Sequence, residues 1–345
     1  MRVANFLRAS REIVLPAVLP LSRTNWDGCF GPILALATSS CASAAFAPTL
    51  RMTWRRAGPI RKGVIMGRMV NIYRVINGQA QPWELPARTL AEASLALPQG
   101  VYTTLRIYPE GYVVRLDDHL ARLESSARIL GRPLGLDRAD VRSALGQAFR
   151  HSGFPQARAR LTATPPPKPG PADVSIALEE FLPPDPEIYI QGVRVRTMGA
   201  LRTHHPQAKT TDFMALSRRL YREMPPDTYE LLMVDEEDRI LEGLTSNFFA
   251  LKEGAVYTAG HEVLEGVTRG IVIELAARMF PVYLEAVQRG EIASLSEAFI
   301  TSSSREIVPV VAIDDVTIGD GRPGPITRRL LETYRAQIRR EWQRL

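Results

Sequence analysis

Residues 241–270, LEGLTSNFFALKEGAVYTAGHEVLEGVTRG, decide the fold that this chain is expected to adopt. The apolar runs 248–251 and 256–258 flank Glu253-Gly254, a pair suited to a tight turn, so the stretch predicts a β-hairpin. Glu242 precedes the hairpin, at the end of an apolar arm. A carboxylate there is either exposed at a strand end or directed at a group that needs a negative partner.

The end of the same stretch predicts the N-terminus of a helix. Ile271, Ile273 and Met279 follow Thr268 at helical spacing. Thr268 then lies where free backbone N–H groups and the helix dipole favour a phosphate. An ordinary hairpin with an exposed Glu242 and a capping Thr268 is equally compatible with this stretch. The choice between the two interpretations therefore depends on the rest of the sequence.

Length and charge narrow the classes of function. A chain of 345 residues can bury a large core, and two domains are expected. Residues 1–65 hold nine basic and two acidic residues, a net charge of +7, whereas the remaining 34 basic and 35 acidic residues give a net charge of −1. The basic excess therefore lies at one end, and a groove for nucleic acid is not expected. No long uncharged apolar run is present, so no membrane span is expected.

Cysteine and histidine usage argues against thiol and metal chemistry. Cys29 and Cys41 both lie in residues 1–65, and the five histidines show no metal-ligand spacing, so no metal site is expected. Residues 1–65 resemble a targeting peptide in composition, but an over-extended start, with the true one at Met66 or Met69, is the plainer interpretation. In either case no packed structure is expected there.

The order of elements from Met69 onward predicts an α+β protein with two domains. Helices are predicted over residues 116–131, 137–153, 212–224, 268–280 and 326–345. Predicted strands fill much of the remaining sequence, and the proline-rich stretch after Phe181 is the best candidate linker. A smaller α/β domain is therefore predicted over residues 69–181, and a larger β-rich domain with flanking helices over residues 182–345.

Two segments carry a family resemblance. The patterns Glu242-x-x-x-x-Asn247-Phe-Phe and Leu264-x-Gly-Val-Thr-Arg269 resemble the signature of the class IV aminotransferases. This family of pyridoxal 5'-phosphate (PLP) enzymes includes branched-chain aminotransferases, D-amino-acid aminotransferases and aminodeoxychorismate lyases. Leu244 departs from the pattern, because the family usually has a small residue there. The resemblance covers most of residues 69–315 and implies fold type IV, PLP as cofactor, and a homodimer with the cofactor between the two domains.

The resemblance also implies roles for individual residues, which follow the family's order along the chain. Lys209, between a strand and a helix, would form the imine with PLP and move the proton between Cα and C4′. Glu242 would face the pyridine nitrogen and keep it protonated. The implied phosphate contacts are Arg122, the Val267 backbone N–H, Thr268, Ser302 and Ser303. Without the family order, Arg122 and Lys209 would each be interpreted as solvated side chains, and Ser302-Ser303 as a surface turn.

Substrate choice stays open at this level. Tyr102 takes the position at which members of the resembled family place an aromatic residue on the substrate side of the site. The alternative is a tyrosine that packs across neighbouring strands. Loop 162–172, TATPPPKPGPA, lacks the Arg-x-His pair that binds the substrate carboxylate in D-amino-acid aminotransferases, which argues against that subclass. The candidates for binding a substrate carboxylate are Arg160 or the cluster Arg202, His204 and His205.

The resemblance favours transfer of an amino group between a branched-chain-like amino acid and a 2-oxo acid. A 4-amino-4-deoxychorismate lyase, which releases pyruvate and 4-aminobenzoate, is the alternative activity. A family member that has kept the fold and lost turnover, and that acts as a PLP carrier or as an interaction protein, is a further alternative. A cytoplasmic location is expected.

Overall fold

The computed structural model describes residues 13–14, 70–166, 170–199 and 205–345. The extension expected over residues 1–65 lies outside the described residues except for a two-residue strand, and so do Arg202 and His204 of the candidate carboxylate cluster. The described strands are β1 Ile13–Val14, β2 Asn71–Ile76, β3 Gln79–Pro82, β4 Val101–Ile107, β5 Tyr112–Val114, β6 Ala157–Thr164, β7 Asp173–Glu180, β8 Val193–Gly199, β9 Glu230–Val234, β10 Ile240–Gly243, β11 Asn247–Lys252, β12 Ala255–Tyr257, β13 Val282–Tyr283, β14 Glu297–Ser302, β15 Glu306–Ile313, β16 Val316–Thr317 and β17 Trp342–Arg344.

The described helices are α1 Leu90–Ala96, α2 Leu116–Ile129, α3 Arg138–Ser152, α4 Glu187–Ile190, α5 Thr211–Glu223, α6 Val267–Ala276 and α7 Pro325–Arg340. Five of them begin within one residue of the predicted ones, whereas α1 and α4 were not predicted. The helix predicted to run to residue 345 was too long, because Trp342 leaves it and joins β17, which pairs with β5. The Trp342 ring stacks on Tyr112, with ring centroids 5.1 Å apart, and this aromatic contact favours the strand over a last helical turn.

The smaller sheet has the strand order β3-β2-β7-β6-β4, and all its neighbouring strands are antiparallel. Helices α2 and α3 contribute Leu120, Leu123 and Leu145 to its core, and none of these three side chains is exposed. The amphipathic stripe that predicted α2 is therefore the face that packs on β4. Arg122 of α2 also contacts β4, because its Nη2 donates to Thr103 Oγ1 at 2.6 Å.

The larger sheet runs β1-β13-β12-β11-β10-β9-β8-β15-β14, with β11 also paired to β14 and β16 to β15. The predicted hairpin is β11–β12, with Glu253 and Gly254 at its turn. Helix α6 packs near β14, and α7 packs against both β14 and β15. The mixed helix and sheet content confirms the predicted α+β class.

The start of β4 is hydrogen-bonded to the segment that carries Lys209. The Tyr102 backbone N–H donates to the Lys209 carbonyl at 2.9 Å, and the Thr211 N–H donates to the Gly100 carbonyl at 3.0 Å. The segment before α5 is therefore held against the start of β4. All strands of the smaller sheet precede Phe181, and the boundary predicted there stays a prediction.

Candidate active site

Glu242 is a buried carboxylate at the end of β10. Its residue is 7% exposed, so the interpretation as an exposed strand-end carboxylate is wrong. Asn247, opposite it in the β10–β11 pair, donates from Nδ2 to Glu242 Oε2 at 2.8 Å, and the Leu264 N–H donates to Oε1 at 3.1 Å. Burial raises the pKa of Glu242 to about 8, against the lowering effect of the Leu264 hydrogen bond and the positive charge of Lys209.

Lys209 lies just before α5, and both its backbone N–H and its carbonyl are hydrogen-bonded. Its N–H donates to Ser126 Oγ at 3.2 Å, and its carbonyl accepts the Tyr102 hydrogen bond. Its Nζ lies 5.0 Å from the centroid of the Tyr102 ring. Burial lowers the pKa of Lys209, and the nearby positive charge of Arg122 acts in the same direction. A lysine with a lowered pKa presents more neutral amine, which is the nucleophilic form.

Arg122 is a partly buried guanidinium with spare donors. Its Nη2 donates to Thr103 Oγ1 at 2.6 Å and lies 3.5 Å from His119 Nδ1. Its Nε is buried and has no hydrogen-bond partner among the described residues. Burial lowers the pKa of Arg122 to about 10, which leaves it charged at neutral pH. A buried cation with an unused donor is suited to an anionic ligand.

The N-terminus of α6 meets the turn after β14 at a small cavity. Val267, Thr268 and Ser303 line this cavity together with His119 and Tyr334. Gly266 provides no side-chain cap to α6, and the first turn holds no acidic residue. The helix end is therefore suited to an anion. Ser302 does not line the cavity; its Oγ accepts from Arg305 Nε at 3.1 Å.

Arg160 and Tyr102 lie together beside Lys209. The Arg160 guanidinium is 5.0 Å from the centroid of the Tyr102 ring, and its positive charge contributes to the lowered pKa of Lys209. Arg160 Nη1 donates to Ser94 Oγ at 2.6 Å and to the Leu90 carbonyl at 3.1 Å, which ties it to α1. Its Nη2 makes no hydrogen bond to the described part of the chain, so one edge of the fork faces away from α1.

A buried network beside the site was missed by the sequence analysis. Glu230 is not exposed at all, and its Oε2 accepts from Thr245 Oγ1 at 2.7 Å and from Arg305 Nη2 at 3.1 Å. Tyr221 donates its hydroxyl to Glu230 Oε1 at 2.6 Å. Arg305 thereby links Ser302 to β9 and to the β10–β11 turn. The only signal in the sequence was an acidic residue at the start of the apolar run ELLMV.

The donor set fits PLP on observations of this structure. Arg122 has a buried donor without a partner among the described residues, and the α6 N-terminus has no side-chain cap. Burial lowers the pKa of Lys209 and raises that of Glu242, because it disfavours the charged form of each. A phosphate and a protonated pyridine nitrogen would supply the missing partners. Among the described residues, no group of three or more His, Cys, Asp or Glu side chains could hold a metal ion. No helix there is long and apolar enough to cross a membrane.

Comparisons with known proteins agree with this chemistry. The family model described as Amino-transferase class IV matches residues 100–313. The chain is 28% identical to the D-alanine aminotransferase of Bacillus licheniformis over 268 residues, which cover 74% of this chain and 93% of the relative. It is 26% identical to the branched-chain-amino-acid aminotransferase of Pseudomonas aeruginosa over 299 residues, covering 78% and 95%. The crystal structure of the T.th. branched-chain amino acid aminotransferase with pyridoxamine 5'-phosphate is similar at a TM-score of 0.67 and 25% identity, covering 79% of this chain and 98% of that one.

Proposed function

The chain belongs to the class IV aminotransferases and is a PLP-dependent transaminase, and on this basis we propose that it exchanges an amino group between a branched-chain-like amino acid and a 2-oxo acid. The observation that carries the proposal is the meeting of Lys209, Glu242 and Arg122 in one partly buried site. The pKa of Lys209 is lowered there and that of Glu242 is raised, which is the pattern expected of groups built for proton transfer and charge stabilisation.

Each residue of the site has a separate task in this proposal. Bound PLP supplies an electron-accepting ring for the electron pair left on the substrate Cα. Lys209 would hold the cofactor through Nζ, and its amine would move the proton at the substrate Cα. Glu242, fixed by Asn247 and Leu264, holds the proton on the pyridine nitrogen. The phosphate is assigned to Arg122, the Val267 N–H, Thr268, Ser302 and Ser303.

Arg160 is the preferred candidate for the substrate carboxylate. It lies beside Tyr102 and Lys209, and its Nη2 edge is not used by the described residues. The loop after β6 carries no Arg-x-His pair, and several relatives carry the name branched-chain-amino-acid aminotransferase; both support the branched-chain proposal over a D-amino-acid one. Changing Arg160→Met should raise the KM for amino acids at least tenfold, since it removes a charge-assisted hydrogen bond, with a smaller effect on kcat. An unchanged KM would remove Arg160 from the site.

Covalent attachment tests the lysine assignment directly. The chain has only four lysines, Lys62, Lys168, Lys209 and Lys252, so borohydride reduction followed by peptide mapping can identify the attachment site without ambiguity. We expect Lys209→Ala to abolish attachment. Lys252→Ala is the matched control, because Lys252 Nζ pairs with Glu291 at 2.5 Å, and it should attach PLP normally. Attachment that survives in Lys209→Ala would overturn the assignment.

A panel of single amino acids tests the substrate. The PLP-loaded protein is mixed with individual L- and D-amino acids in the absence of an acceptor, and the spectrum of the cofactor is followed from its aldehyde to its amine form. Conversion by L-valine, L-leucine or L-isoleucine is the expected result. Conversion by D-amino acids alone would contradict the branched-chain assignment, and pyruvate release from 4-amino-4-deoxychorismate would indicate the lyase.

The assembly and location of the enzyme remain proposals. The homodimer follows from the family resemblance alone, and the division into two domains near Phe181 rests on the proline-rich stretch that follows it. A cytoplasmic location is proposed as well. Sedimentation equilibrium of the purified chain distinguishes a dimer from a monomer. A monomer that retained full transaminase activity would contradict the proposed dimer.

A further inference from the structure

His119 is a buried imidazole that the proposed mechanism does not use. It lies in the first turn of α2, three residues before Arg122, and is 3% exposed. It nevertheless lines the cavity formed by Val267, Thr268 and Ser303. The ring is therefore almost fully buried and yet borders the space assigned to the cofactor phosphate.

The hydrogen bonds around Nδ1 decide which ring nitrogen carries the proton. Arg122 Nη2 can only donate, and it donates to Thr103 Oγ1 at 2.6 Å. The Thr103 hydroxyl lies 2.8 Å from His119 Nδ1, and Arg122 Nη2 lies 3.5 Å from the same nitrogen. A proton on Nδ1 would compete with Arg122 for the Thr103 oxygen and would lie beside the guanidinium, which can only donate, so we assign Nδ1 as the acceptor of the Thr103 hydroxyl hydrogen. The neutral ring then carries its proton on Nε2.

The surroundings keep this ring neutral. Burial lowers the pKa of His119 well below its usual value, and the positive charges of Arg122 and Lys209 lower it further. A second proton is therefore disfavoured, and the tautomer set by Thr103 persists across the physiological pH range. Nε2 makes no hydrogen bond to the described residues, which leaves a donor without a protein partner beside the cavity.

We propose that His119 binds the cofactor phosphate through Nε2–H, alongside Thr268 and Ser303, while Nδ1 is held in place by the Thr103 hydroxyl. The inference rests on the proposed position of the phosphate. It adds to that site a neutral donor whose orientation is set by the same threonine that accepts from Arg122. Thr103 thereby orients both side chains, because it accepts a hydrogen bond from one and donates to the other.

Two substitutions separate this role from a purely structural one. Asparagine reaches about as far as Nδ1, so His119→Asn keeps an acceptor for Thr103 and loses the donor that faces the cavity. Glutamine reaches about as far as Nε2, so His119→Gln restores the donor and loses the acceptor. Binding is measured calorimetrically on the cofactor-free protein with three probes: inorganic phosphate, PLP, and pyridoxal, which lacks the phosphate. Thermal unfolding of each cofactor-free variant reports on folding.

We expect weaker binding only in His119→Asn and only for the probes that carry a phosphate. His119→Asn should bind phosphate and PLP roughly tenfold or more weakly, the effect of losing a hydrogen bond to a charged group, while pyridoxal binding stays as in the wild type. His119→Gln should remain near the wild-type affinity for all three probes. Weaker binding in the Gln variant but not in the Asn variant, equal losses for pyridoxal, or no phosphate binding by the wild type would each overturn the proposal.

This test is independent of the lysine chemistry. At saturating PLP, both variants should still attach the cofactor at Lys209, as mapped after borohydride reduction. Failure of attachment in the wild type would refute the proposed function, whereas normal attachment with unchanged phosphate affinity in His119→Asn would refute only the role of His119.

Discussion

Gly266 packs closely against the side chain of Asn247, which in turn donates a hydrogen bond to Glu242. A Cβ built on Gly266 would lie 2.1 Å from Asn247 Oδ1, far inside contact distance. The backbone of Gly266 has φ −69° and ψ 133°, which alanine adopts without strain. Any penalty of Gly266→Ala therefore comes from this contact, and Asn247 has to move.

The magnitude follows from the hydrogen bonds that Asn247 would lose. Its Nδ2 donates to Glu242 Oε2 and to the Leu264 carbonyl, both at 2.8 Å. Because burial raises the pKa of Glu242 to about 8, its carboxyl is largely protonated in the cofactor-free protein at neutral pH, and each of the two bonds contributes about 1 kcal/mol. Replacing glycine by alanine at a compatible backbone returns about 0.4–1 kcal/mol through the unfolded chain. The expected net loss in the free energy of unfolding is about 1–1.5 kcal/mol, together with weaker transaminase activity because Glu242 loses a fixed donor.

Urea unfolding of the cofactor-free protein measures this loss, and a double-mutant cycle identifies its origin. In an Asn247→Ala background the nearest obstacle is gone, so Gly266→Ala should become nearly neutral. Gly270→Ala is the matched control on the same helix: its Cβ would meet nothing within 4 Å, and alanine should stabilise α6 by about 0.5–1 kcal/mol. An equal penalty for Gly266→Ala in both backgrounds would refute the reasoning.

Three further predictions concern buried charges. The pKa of Glu242 is raised from 4.5 to about 8 in the folded state, so its contribution to the stability of the cofactor-free protein is complete below about pH 4.5 and is lost as the pH rises through 8. Urea unfolding at several pH values should show this decline in the wild type and not in Glu242→Gln. Arg305→Met should lower the free energy of unfolding by about 3–5 kcal/mol, because it leaves Glu230 buried and unpaired, and adding Glu230→Gln should recover part of the loss; a single variant as stable as wild type would contradict the pairing. Glu297→Ala should lower thermal stability by about 1–2 kcal/mol without changing PLP affinity, since Glu297 accepts the Ile326 and Thr327 N–H groups at the start of α7; an unchanged melting temperature would argue against this capping role.

Local sequence patterns were sufficient to predict five of the helices, the β11–β12 hairpin and the motif that holds Glu242 and Asn247. The stripe of α2 and the hairpin turn at Glu253-Gly254 follow from periodicity and turn chemistry, which act over a few residues. Glu242 and Asn247 are five residues apart on paired strands, so both belong to one local sequence motif. The family and its PLP cofactor, predicted from these segments, were confirmed by the comparisons.

Contacts between distant segments needed the tertiary structure. Lys209 meets Tyr102 because the segment before α5 is hydrogen-bonded to the start of β4, about 100 residues away along the chain, and no local period encodes that approach. The same is true of Arg305, which meets Glu230 across 75 residues. Burial of these charged groups depends on which segments cover them. The sequence alone therefore determined which residues were chemically suited to the site, whereas the packing of the two sheets decided their protonation and partners, because desolvation and charge proximity are properties of the folded chain.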